Sequence, residues 1–103
     1  MNNVFAEIRT LYVEENTGAS AFGRRLIEAL DQIGYFTLTR DRATADAVVQ
    51  AHGDDTDDGF VGELVISDPR GNVLWSGRAI RPHGETGPMA HAQIINQLQR
   101  DLE

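Results

Sequence analysis

The chain contains no cysteine and no lysine, only three prolines, and a single tryptophan. Without cysteine there is no disulfide, no thiolate metal site and no thiol nucleophile, and cysteine usage says nothing about redox compartment. Arginine supplies all nine cations, and they are scattered from Arg9 to Arg100 without forming a block. With a net charge of −7, that scatter excludes a nucleic-acid partner and docking on an anionic leaflet, both of which need clustered cations. No apolar run approaches the roughly 20 residues that span a bilayer, so no membrane insertion is expected of this chain. Its opening, Met1-Asn2-Asn3, has neither the basic nor the apolar region of an export signal. A chain whose leader has been removed would open the same way, so secretion stays open, and a chain that never carried one is cytoplasmic. At 103 residues and 41% apolar, the chain fits a single domain, 1–103, with one modest core.

Hydrophobic periodicity gives the elements. Glu7 to Glu14 (EIRTLYVE) predicts a first strand, with Leu11 and Val13 on one side and Ile8, Thr10 and Tyr12 on the other. Thr17 or Ser20 can cap the helix that follows, where Phe22, Leu26, Ala29, Leu30 and Ile33 form one apolar stripe. Gly34 is its expected left-handed stop. Tyr35 to Thr39 alternates with Phe36 and Leu38 inward, Asp41 to Asp46 reads as a polar connection, and Ala47 to Ala51 as a short strand. Phe60 to Ser67 and Asn72 to Ile80 predict a hairpin about the turn Asp68-Pro-Arg-Gly-Asn72. After the Gly/Pro connection Arg81 to Pro88, a final helix carries His91, Ile94, Ile95, Leu98 and Leu102. The fold class is α+β, a two-layer sandwich of order β-α-β-β-β-β-α, with a mixed sheet and two helices packed on one face.

The stretch His52 to Gly59, HGDDTDDG, invites a chemical reading. Counted from Asp54 as an EF-hand loop, oxygens fall at positions 1, 3 and 5 and glycine at position 6. Position 12, which must be a bidentate glutamate, is Val65, and the flanks read as strands, so that motif is rejected. Asp54, Asp55, Asp57 and Asp58 remain weak candidates for a hard cation, against the plainer reading of a hydrated turn that discourages edge pairing. His52, His83 and His91 form no HxH, HxxxH or HExxH pair, and His91 fits the helix stripe as a packed boundary residue. Ser20, Ser67 and Ser76 lack a nucleophile-elbow context, and Gly18, Gly23 and Gly34 make no phosphate loop. Trp75 fits the rim of the core, its indole N–H reaching a carbonyl. No enzymatic activity, metal or cofactor is expected.

The succession YVEE, LIEALDQIGYFTL, ADAVVQA, GELVISDPRGNVLWSG and AQIINQLQRDL resembles the small α/β domains of bacterial cell-envelope proteins. These include uncharacterised periplasmic and lipoprotein domains, the amino-terminal domain of TolB, and the curli-secretion and lipopolysaccharide-assembly lipoproteins. Ala45-Asp46 opens a strand as in those domains, and Asp68, Gly71, Leu74 and Trp75 match their D-x-x-G-x-x-L-W hairpin. The resemblance implies an envelope setting and a non-catalytic role, and it carries over no functional residue. The function expected is an accessory domain that binds a protein partner, or itself, through the sheet face left open by the helices or through a strand edge. Tyr12, Thr37, Thr39 and Arg78 are the candidate contacts, with Thr10 and Ser76 beside them. The alternative is a small cation- or ligand-binding module using residues 52–59.

Overall fold

The computed structural model describes residues 5, 7–14, 17, 20–83 and 89–102. Its elements are β1 (Thr10–Val13), α1 (Ala21–Ile33), β2 (Thr37–Thr39), a short 3-10 turn (Arg42–Thr44), β3 (Ala47–Thr56), β4 (Gly59–Ser67), β5 (Val73–Arg81) and α2 (Ala90–Leu102). The five strands lie in the order β2-β1-β3-β4-β5, parallel across β2, β1 and β3 and antiparallel from β3 to β5. The α+β order and the mixed sheet are those the periodicity predicts.

Helix α1 forms where its apolar stripe allows. Ser20 caps it, Oγ accepting from the Gly23 N–H at 3.0 Å, and Gly34 ends it at φ 75°. Phe22, Leu26 and Leu30 are buried on its inner side. Thr17, the other candidate cap, is instead buried, and its hydroxyl accepts from the Ala51 N–H at 3.3 Å. Gly18 and Ala19 lie outside the described residues. Gly23 has a packing reason: the Thr17 carbonyl occupies the space that a Cβ there would need. Helix α2 buries Ala90, Ile94, Ile95 and Leu98, so Ile94 sits at the centre of the stripe rather than at its margin. Residues 84–88, most of the predicted Gly/Pro connection, lie outside the described residues.

One core cluster joins both helices to a single face of the sheet, through Leu11, Ala47, Val49, Leu64, Ile66 and Ala79. Three glycines on that face, Gly53, Gly62 and Gly77, are roofed by the rings of Phe60, Phe22 and Trp75, each ring filling the place of a Cβ. Aromatic side chains thus supply bulk where the strand has none.

The strand predicted from Tyr35 begins at Thr37, the strands of the second hairpin shift by one residue, and two boundaries differ more. The first strand begins at Thr10 rather than Glu7, because a turn closed by the Ile8 N–H on the Phe5 carbonyl (3.1 Å) precedes it. That turn sends Ile8 into the core at 6% exposure, beside Phe5, instead of onto the opposite face. The strand after Asp46 runs ten residues, to Thr56, not five. HGDDTDDG is therefore mostly strand, and only Asp57 and Asp58 form the turn.

Candidate functional site

Both helices cover one face of the sheet, and strand alternation fixes what the other presents. Leu11, Ala47, Val49, Leu64 and Ala79 point to the helices. Their neighbours Thr10, Tyr12, Val48, Gln50, Glu63, Val65, Arg78 and Ile80 therefore point away. Thr37 and Thr39 stand beside Thr10 and Tyr12 in register. The structure thus brings Tyr12, Thr37 and Thr39 together. Arg78 lies on β5, three strand spacings from Tyr12, or about 14 Å at roughly 4.8 Å each. The four candidate contacts form two places, not one patch.

The first place is partly covered. Residues 40–46 carry the chain from the end of β2 to the start of β3, across β1 on the face opposite α1. Arg42 lies over the Tyr12 ring, its guanidinium carbon 5.9 Å from the centroid. Val48 is buried to 5% exposure although it is outside the helix-side core. At the ends of β1 and β2, and reaching α1, lies a crevice of about 560 Å³, lined by Tyr12, Val13, Glu14, Ile27, Leu38, Thr39 and Arg40. Sequence reasoning missed it, because periodicity places Ile27 and Arg40 on separate elements and gives no sign that they converge.

The alanine-aspartate pair has a local physical task. The Asp46 N–H donates to the Thr10 carbonyl (2.9 Å), and its Oδ2 accepts from the N–H groups of Arg9 (2.9 Å) and Thr10 (3.0 Å). Those two donors hold its carboxyl below the usual carboxylate range, Arg9 first. One side chain thereby closes the start of β1, where β3 has not yet begun. Asp68 does the same for the second hairpin. Its Oδ2 accepts from the Asn72 side chain and its Oδ1 from the N–H groups of Asn72 and Arg70, all at 2.9 Å. The Asn72 amide leads in holding its carboxyl low. Gly71 supplies the positive φ, 95°, that the turn needs. Trp75 packs against the core as expected, but its indole N–H donates to the Asp101 carboxylate (2.6 Å) rather than to a carbonyl.

The acidic stretch does not converge. On β3 Asp54 points to the open face and Asp55 to the helix side, while Asp57 and Asp58 sit at the tip. Among the described residues, no group of three or more His, Asp or Glu side chains is placed to hold a metal ion. His52 instead faces Glu63 across the strands, Nε2 3.7 Å from Oε1, and the His83 ring nitrogen meets the Thr56 carbonyl at 3.0 Å. His91 is half-buried beside a cavity of about 280 Å³ that Phe22, Arg25, Phe60 and Met89 also line. Burial pushes its pKa down, Arg25 adds to that, and Glu28 opposes it.

No family model and no curated protein matches the sequence. Two solved structures align with it. The crystal structure of lipoprotein GNA1162 from Neisseria meningitidis aligns with a TM-score of 0.55 at 13% identity, over 91% of this chain and 99% of that one. The solution structure of uncharacterized lipoprotein B from Nitrosomonas europaea aligns at 16% identity and a TM-score of 0.45, over 92% of this chain and 74% of its own. The architecture is thus one that a bacterial lipoprotein uses. Among the described residues, no helix is long and apolar enough to cross a membrane.

Proposed function

We propose that the chain is a non-enzymatic accessory domain of the bacterial cell envelope, binding a protein partner through the sheet face opposite the helices or through a strand edge. The observation that carries this reading is the one-sided coverage of the sheet. Both helices and the core cluster lie on one face, while the other presents Tyr12, Thr37 and Thr39 at one end and Arg78 and Ile80 at the other. Aromatic, β-branched and arginine side chains on a stiff sheet suit a partner surface. The fold shared with a lipoprotein supports the envelope setting.

The test is retention of a protein from an envelope fraction by the immobilised chain, compared with a Tyr12→Ala/Thr39→Arg variant and an Arg78→Glu variant. A discrete protein retained by the parent chain and lost with either variant is the expected result. Retention of nothing, together with a strictly monomeric chain in sedimentation, would overturn the proposal.

A further inference from the structure

The two edges of the sheet differ. β2 closes one with three residues, whereas β5 closes the other with nine, none of them proline. In an antiparallel pair, alternate residues turn both N–H and C=O toward one neighbour and the rest turn theirs away. The two-residue turn pairs Thr56 with Gly59, so the odd residues of β4 bond to β3 and the even ones to β5. Gly77, Ala79 and Arg81 then bond to Leu64, Gly62 and Phe60, leaving the backbone groups of Ser76, Arg78 and Ile80 directed outward. The Arg78 carbonyl agrees with this phase: it accepts from the Gln97 side-chain amide of α2 at 3.1 Å.

Side chains on this edge extend rows that cross the open face. One row runs His52, Glu63, Arg78, alternating in sign when His52 is protonated. It ends on a guanidinium that has no ion pair among the described residues. The next row ends on Ile80, which is 49% exposed. A strand laid beside β5 adds one residue to each row. Beside Arg78 the complement is a carboxylate, and beside Ile80 it is an apolar β-branched side chain. A second copy of β5 never meets the first demand, because Val73–Arg81 carries no carboxylate. Pairing about Arg78 sets two guanidiniums side by side, and a shift of register gives Arg78 a serine or an isoleucine.

We infer that β5 docks, antiparallel, an extended segment of a partner protein that carries Asp or Glu opposite Arg78 and an apolar residue opposite Ile80, with Gln97 as a displaceable cap on the edge. This rests on the protein-binding reading above and names the chemistry of its partner.

Short capped peptides whose alternate side chains read valine, glutamate and threonine, titrated into the ¹⁵N-labelled chain, test it. Amide shifts should concentrate on Ser76, Arg78 and Ile80. The peptide with lysine in place of glutamate should bind about fivefold more weakly. Arg78→Glu should reverse that preference, and Gln97→Ala should tighten the glutamate peptide a few-fold. Absence of binding by either peptide, equal binding of the two, or shifts gathered elsewhere would overturn the inference. So would a dimer joined along β5. The broader reading would survive such a failure if an envelope protein were still lost on Tyr12→Ala/Thr39→Arg, and would fall only if nothing were retained at all.

Discussion

The two halves of the sheet are built by different means. The parallel half, β2-β1-β3, joins strands of four and three residues to β3, with α1 on one face and residues 40–46 crossing the other. So little ladder needs help from contacts outside it: the Asp46 carboxylate on two N–H groups, Ser20 and Gly34 on α1, and Gly23 against the Thr17 carbonyl. The antiparallel half is two continuous hairpins of nine- and ten-residue strands, closed by tight turns. Its ladder is long enough that one face can stay open. Short parallel strands are held by specific contacts from outside the ladder, and long antiparallel ones hold themselves.

Substitutions can break either half. Leu64→Ala empties a fully buried site under both helices and should cost about 2–5 kcal/mol in urea unfolding. Gly23→Ala drives a methyl into the Thr17 backbone carbonyl and should cost about 2–3 kcal/mol, its damage centred on α1 and β1 by amide exchange. Trp75→Phe keeps an aromatic ring but loses the bond to exposed Asp101 and part of the indole that roofs Gly77, and should cost about 1–2 kcal/mol. Asp46→Ala should speed exchange at the Arg9 and Thr10 amides while leaving β4 and β5 unchanged.

The smallest effect is one of pH. Above about 6.5 the His91 imidazole is neutral in folded and unfolded chains alike. Its folded pKa is lowered, so below that pH the unfolded chain takes up the proton more readily and stability falls until the folded pKa is passed. His91→Gln should flatten this slope, read as the urea midpoint between pH 7 and 5. Asp46 and Asp68, held below the ordinary carboxylate value of 3.8, contribute stability that is present above that value and lost as pH falls through their folded values.

Much of this was legible in residue order. The stripe from Phe22 to Ile33, the caps Ser20 and Gly34, and the Asp68–Asn72 turn are local, set by a helix turn or a few backbone bonds. The extent of β3 was not legible. His52 to Thr56 is polar, and polarity predicts a loop, but pairing with Phe60, Val61 and Gly62 on β4 overrides that weak local preference. The candidate contacts show the same limit. Alternation put Tyr12, Thr37, Thr39 and Arg78 on one face correctly, yet it carries no strand order, and strand order is what separates Arg78 from the others.

By itself, then, the sequence determined the number and order of helices and strands, the apolar stripe of each helix, and that its cations gather in no block. Those properties depend on neighbours a few residues away. Tertiary structure decided that β1 lies between β2 and β3, that Asp46 closes the start of β1, that the acidic carboxylates diverge, and that the nine-residue β5 is an edge strand. These depend on which distant segments pair, and pairing is chosen by the fit of whole faces across the core rather than by any one residue.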